Sequence, residues 1–219
     1  MSRRIAVLGL GQFGKALATE LAALGCEVLA VDSDPKVVDA IRDQVSVAAI
    51  ADIRDKKALE ELFASRFDVV VVAMGDALEA TVMATLHLKE LGVDEVWAEA
   101  NEPDRAEALM KVGASHVMAP ERDMAERIAQ HLAHPNLLDF LPLTKGYGVV
   151  EVEAPAWTHG KTLAELHLRR TMNVAVIAIR AADGSVDIVP GGAAQLGPGD
   201  VLTLVGRDGD LAKFSEWKK

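Results

Sequence analysis

Apolar and polar positions follow two different rhythms along this chain. Over roughly the first 120 residues, short apolar runs of strand type alternate with longer amphipathic stretches of helix type. Residues 5–8 (IAVL), 27–31 (EVLAV), 47–50, 67–73 (FDVVVVA), 95–98 (EVWA) and 116–118 predict six strands. Residues 15–24, 35–43, 56–63, 77–91 and 103–111 predict the helices between them, with Pro35 and Pro103 at first-turn positions and Gly92 and Gly113 closing two of them. The β-branched run within FDVVVVA suits a strand buried on both faces of a parallel sheet. The fold class expected is therefore α/β: a Rossmann-like, doubly wound parallel sheet with right-handed crossovers.

Beyond residue 119 the rhythm changes. Pro120 opens a helix that carries Met124, Ile128 and Leu132 at i, i+4 and i+8, and Pro135 stops it. Residues 136–143 (NLLDFLPL) are strongly apolar yet lie outside any strand pattern. The stripe and this run either pack on the chain's own sheet or dock on a second subunit, since an apolar patch of that size is otherwise exposed. From Tyr147 a period-two pattern begins: residues 149–153 (VVEVE), a helix over 162–169, a strand over 174–180, a hairpin turn at Asp183 and Gly184, an answering strand over 186–189, a turn at 198–200 and a last strand over 201–205. This predicts a small C-terminal α+β domain of about 75 residues. The expected division is 1–119, 120–143 and 144–219.

The candidate chemistry sits at the first strand-to-helix turn. Gly9, Gly11 and Gly14 follow the apolar run 5–8 with G-x-G-x-x-G spacing. In such a turn the first glycine permits the tight bend, the second lets backbone approach a pyrophosphate, and the third lets helix and strand pack closely. The helix end then presents unpaired N–H groups to the anion. Three glycines alone can be merely a turn, but Asp32 ends the second strand 18 positions after Gly14. An acid there is placed to accept hydrogen bonds from ribose hydroxyls. The loop at Met74, Gly75 and Asp76 ends another strand at the edge where open parallel sheets bind ligands.

Composition narrows the partners. A net charge of −10 and 4% aromatic content argue against nucleic acid, which calls for a basic face, and against anionic lipid. The longest apolar runs, 69–74 and 174–179, fall far short of the roughly 18 residues of a membrane span, so a cytoplasmic chain is expected. Cys26 is the only cysteine, which leaves no internal disulfide and no cysteine metal cluster. His131 and His134 stand three apart without a third ligand at recognisable spacing. Lys15 follows the loop, but no G-x-x-x-x-G-K-[ST] occurs, so nucleotide hydrolysis is unsupported. Tyr147, the only tyrosine, is followed four positions on by Glu151 rather than lysine, and the C-terminal domain is small for a catalytic one. A non-enzyme is therefore expected, with a small NAD-dependent oxidoreductase as the alternative.

The segments VLGLGQFGKALATEL, VLAVDSDP, FDVVVVAMGD, LHLKELGVDEVWAEAN, KVGASHVMAPERDMAERIA and GPGDVLTLVG occur in one order over essentially the whole chain. In these the sequence resembles the RCK (regulator of potassium conductance) family, the KtrA/TrkA-type cytosolic regulatory subunits of potassium uptake systems. The resemblance implies an N-terminal Rossmann-like domain that binds ATP, ADP or NAD(H). It implies a crossover helix and hinge that build a homodimer, and a C-terminal domain that in some members binds cyclic di-AMP. It further implies an octameric gating ring at the inner face of the membrane, beneath an integral potassium-translocating subunit of KtrB or TrkH type. By position, the nucleotide contacts would be Gly9, Leu10, Gly11, Gln12, Phe13, Gly14, Asp32, Ser33, Ala51, Asp52, Ile53, Ala73, Met74, Gly75, Glu99 and Arg105. Glu121 falls where related subunits place a carboxylate for a divalent cation, magnesium or calcium. Gln12 and Glu99 depart from the arginine and lysine of KtrA-type chains, removing positive charge that favours a third phosphate.

Overall fold

A computed structural model describes residues 2–63, 66–133 and 137–216. The chain forms two compact units, Met1–Asp123 and Met124–Lys219. In the first, β1 (Arg4–Leu8), α1 (Gln12–Ala23), β2 (Glu27–Asp32), α2 (Pro35–Ile41), β3 (Val47–Ile50), α3 (Lys56–Leu62), β4 (Val69–Val72), α4 (Leu78–Glu90), β5 (Val96–Glu99), α5 (Pro103–Val112) and β6 (His116–Met118) alternate as the periodicity predicts. All six strands pair in parallel in the order β3-β2-β1-β4-β5-β6. The chain leaves β1 towards β2 and returns to its other side with β4, which opens a crevice at the carboxyl edge between β1 and β4.

The strands' two-residue alternation feeds two separate cores. Ile5, Val7, Val28, Ala30, Val69 and Val71 pack on one face with Ala18, Val38 and Ile41 from α1 and α2. Ala6, Leu8, Leu29, Val31, Val70 and Val72 pack on the other with Leu59 and Leu88 from α3 and α4. Both faces being covered is why β1 and β4 read as unbroken apolar runs.

The second unit carries most of α6 (Pro120–Ala133), which begins in the first, and a five-stranded antiparallel sheet. Its elements are β7 (Leu137–Thr144), β8 (Tyr147–Glu153), α7 (Leu163–Leu166), α8 (Leu168–Thr171), β9 (Ala175–Arg180), β10 (Val186–Ile188), β11 (Val201–Arg207) and α9 (Asp208–Glu216), with sheet order β10-β9-β11-β8-β7. Its core gathers Val150, Val152, Leu168, Val174, Leu202, Leu204, Leu211 and Phe214. Asp200 is buried there and satisfied, accepting hydrogen bonds from the N–H groups of Ala182 and Gly197.

Two local expectations are corrected, and one element is added. The apolar run NLLDFLPL is a strand, β7, paired antiparallel with β8, except for Asn136, which with Pro135 and His134 lies outside the described residues. Its unbroken apolar character and Pro142 mask the period-two signal. Proline is tolerated because β7 is an edge strand and its register shifts there. The helix over 162–169 is two short helices, α7 and α8, divided by His167 at φ 49°. The first has a capping box between Thr162 and Glu165. After the last strand the chain adds α9, signalled only by Leu211 and Phe214 three apart, both buried.

Phe214 is fully buried and meets Trp157 edge to face at 5.5 Å between ring centroids. Phe214→Ala is expected to destabilise the second unit by about 3–5 kcal/mol, the usual cost of truncating a core phenylalanine. Urea denaturation followed by tryptophan fluorescence measures it, and a loss below about 1 kcal/mol would contradict the packing of α9.

Candidate functional site

The turn after β1 is built by exclusion of side chains. Gly9 has φ +93°, and a Cβ there would lie 2.6 Å from the carbonyl oxygen of Ala73. A Cβ on Gly14 would collide with the carbonyl oxygen of Gly9. These two positions let α1 start directly against the ends of β1 and β4. Gly11 is different: a Cβ there would meet nothing within 4 Å, so the space beside it is open. Gly11 is also the N-cap of α1, with no side-chain capping hydrogen bond and no acidic residue in the first turn. By contrast, α2 and α3 are capped by Asp34 and Asp55. The first amides of α1, those of Gln12 and Phe13 among them, are left for an anion.

Asp32 holds this turn to the neighbouring strand. One carboxylate oxygen accepts the N–H of Leu10 at 2.7 Å, and the other accepts the N–H of Asp34 at 2.9 Å. Leu10 thus contributes its amide, while its side chain is buried in the core. Each carboxylate oxygen keeps a second lone pair able to accept a further hydrogen bond.

Two adjoining clefts open from the turn. One, of about 500 Å³, is lined by Gly9, Gly11, Gln12, Phe13, Gly14, Asp32, Ala73, Met74, Gly75, Asp76, Ala77, Glu99, Asn101 and Glu121. The other, of about 270 Å³, shares Gly9, Asp32, Met74 and Ala77 and adds Ser33, Ala51, Asp52, Ile53, Arg54 and Ala80. Arg105 lines neither; it pairs at 3.0 Å with Glu102, the residue that precedes α5. Asp52 is gripped by Arg54 at 2.6 Å, and the guanidinium's hydrogen bonds lower its pKa to about 2. The pair is exposed to water and adds little stability.

Glu99, at the end of β5, is 9% exposed, and a Cβ on Gly75 would lie 2.6 Å from its Oε1. Burial raises its pKa, the Gly75 N–H pulls it back in part, and Glu121 and Asp76 push it up again. Glu121, in the first turn of α6, accepts from Asn101 Nδ2 at 2.9 Å, and Asn101 Oδ1 is buried without a partner among the described residues. Among those residues no group of three or more His, Cys, Asp or Glu is arranged to hold a metal ion. His134 of the His131 and His134 pair lies outside the described residues.

Sequence reasoning passes over Arg54, Ala77, Ala80 and Asn101 as lining residues, while Asp76 lies in the loop it places at the ligand-binding edge. Asn101 follows Glu99 by two positions at the carboxyl end of β5, the edge where ligands bind, and that position is the signal that could have found it. The second unit has its own cleft of about 360 Å³, lined by Leu163, Ala164, His167, Leu168, Arg169, Arg170, Val174, Val176, Pro190 and Gly192.

Residues 5–120 match the TrkA-N domain family and residues 149–219 the TrkA-C domain family. The chain is 35% identical over 216 residues to the Ktr system potassium uptake protein C of Bacillus subtilis, covering 99% of this chain and 97% of that one. It is 35% identical over 210 residues to the Ktr system potassium uptake protein A of Vibrio alginolyticus, covering 96% and 95%. Among solved structures it resembles the GsuK channel bound to NAD, at TM-score 0.53 and 22% identity over 98% of this chain. The chain spans 38% of that channel's length, and the likeness at this identity is one of fold.

Glu99 gives a test of the burial. A carboxyl whose folded pKa is raised binds more protons in the folded state, so it costs stability as pH climbs from 4.5, its ordinary value, through the folded one. Glu99→Gln is expected to raise the unfolding free energy at neutral pH, and the gain should vanish below that window. Denaturant melts across pH measure this; a gain independent of pH would contradict a buried, ionising Glu99.

Proposed function

Because the chain belongs to the KtrA/TrkA-type RCK family, we propose that it is the nucleotide-sensing regulatory subunit of a potassium uptake system. It binds an adenine nucleotide, ATP, ADP or NAD(H), and through it controls potassium flux in a membrane partner. The observation that carries the reading is the uncapped start of α1 at the crevice between β1 and β4, braced by the Asp32–Leu10 hydrogen bond. The adenosine half fits the side of Asp32, Ser33, Ala51, Asp52 and Ile53, and the phosphates fit Gly11 to Gly14. Ala73, Met74, Gly75 and Glu99 face the same cleft. NAD as ligand is supported by the NAD-bound channel of similar fold. Glu121 would bring a divalent cation between carboxylate and phosphates, which otherwise repel each other.

The chain is read as a non-enzyme, since its relatives are named for potassium uptake and no acid–base partner stands out for hydride transfer. Among the described residues no helix is long and apolar enough to cross a membrane. The proposal places the chain in the cytoplasm, at the inner membrane face through an integral KtrB- or TrkH-like partner. Cyclic di-AMP is proposed for the second unit's cleft, where Arg169 and Arg170 stand beside apolar walls of Leu163, Val174 and Val176.

The proposed assembly is a homodimer built on α6 and β7, grouped into an octameric ring. Met124, Ile128 and Leu132 are 51%, 51% and 73% exposed, and Leu138, Leu141 and Leu143 on β7 are also exposed. Ile128→Asp is expected to shift the chain from dimer or larger towards monomer in light scattering at micromolar concentration, and an unchanged mass would remove α6 from the interface.

The central test is potassium flux in vesicles containing the membrane partner, with and without ADP, ATP or NAD(H). Asp32→Ala is expected to weaken calorimetric nucleotide affinity by about 1–3 kcal/mol, the range for losing hydrogen bonds to a charged acceptor, and to blunt the flux response. Flux that ignores every nucleotide would refute the gating role; steady oxidation or reduction of a substrate with NAD(H) would favour the oxidoreductase.

A further inference from the structure

The larger cleft offers an anion backbone amides but no positive side chain. Among the described residues lining it are four carboxylates, Asp32, Asp76, Glu99 and Glu121, and no lysine or arginine. Asp76 and Glu121 are exposed, so water and salt screen them, and Asp32 is held by two amides. Glu99 is the buried one, pressed against Gly75 at the carboxyl edge of the sheet. Little of its surface meets water, so its charge is less screened than that of the exposed pair and repels an anion in the cleft more strongly.

Against it stands the N-terminus of α1, worth about half a positive charge. Phosphates differ in how much they ask of that balance. In a pyrophosphate diester, as in a dinucleotide, each phosphate carries one negative charge. A terminal phosphate monoester carries about 1.5 to 2 near neutral pH. A cleft with amides and a buried carboxylate therefore tolerates the diester and resists each further charge.

We propose that Glu99 sets the charge selectivity of this cleft, so that it takes a pyrophosphate diester and rejects the terminal phosphate of a free nucleoside di- or triphosphate when no divalent cation accompanies it. This rests on the nucleotide reading above and narrows it to a ligand class. The neutral side chain of Gln12 at the start of α1 leaves the selectivity in place, because it adds no charge to the same cleft.

The experiment is calorimetric titration of the full chain with NAD, ADP and ATP, in EDTA near neutral pH, for wild type, Glu99→Gln and Asp76→Asn. Wild type should bind NAD tightest and ATP weakest, with a gap of about tenfold or more, as repulsion between charges several ångströms apart in a partly buried site requires. Glu99→Gln should close most of that gap by strengthening ATP, leaving NAD within about threefold, whereas exposed Asp76→Asn should close much less of it. ATP binding the wild type as tightly as NAD would overturn the proposal whether or not the variant folds. So would a gap that survives Glu99→Gln in a protein that melts cooperatively, or one that Asp76→Asn closes equally. Binding of none of the three would instead overturn the nucleotide reading itself.

Discussion

The space that a Cβ at position 14 would occupy is taken by the carbonyl oxygen of Gly9. That single close approach lets α1 rise from the very end of β1, and everything at the carboxyl edge follows from it. With a longer turn, the first amides of α1 would face solvent away from the sheet. With this one they face the crevice that the strand order opens between β1 and β4. Asp32 completes the arrangement by fastening the amide of Leu10 to the end of β2, so the loop is fixed from two sides.

The larger cleft at this edge carries opposed charges. The helix end and backbone amides favour an anion, while Asp76 after β4, Glu99 at the end of β5 and Glu121 at the start of α6 oppose it. A buried carboxylate costs folding free energy unless something compensates it, and the Gly75 N–H does so only in part. In the second unit the buried carboxylate of Asp200 is met by two amides, and the core closed by Phe214 supports a separate cleft with the opposite sign, where Arg169 and Arg170 stand.

The parallel sheet was legible because its signals are local. Gly9, Gly11, Gly14 and Asp32 fall within one strand-helix-strand unit, and the valines of β4 announce burial by themselves. Glu99 could be singled out only by its resemblance to a family position; its burial depends on Gly75, which is far away in sequence. Asn101 and Glu121 meet across 20 residues, and Arg54 matters only because Asp52 turns back on it. In the second unit β7 was missed because an apolar run containing Pro142 carries no alternation, although its partner β8 does. The break at His167 was missed because a left-handed residue other than glycine leaves no mark in composition.

Gly11 stands apart from its two companions. Nothing in the protein crowds it, and its φ of −59° is one that any residue adopts. The turn therefore places two kinds of demand on neighbouring glycines, one from the fold and one from whatever enters the cleft. An alanine at 9 or 14 is opposed by the chain's own backbone, whereas an alanine at 11 meets only empty space. On the function proposed above, a single methyl group at position 11 would obstruct the ligand while colliding with nothing in the protein itself.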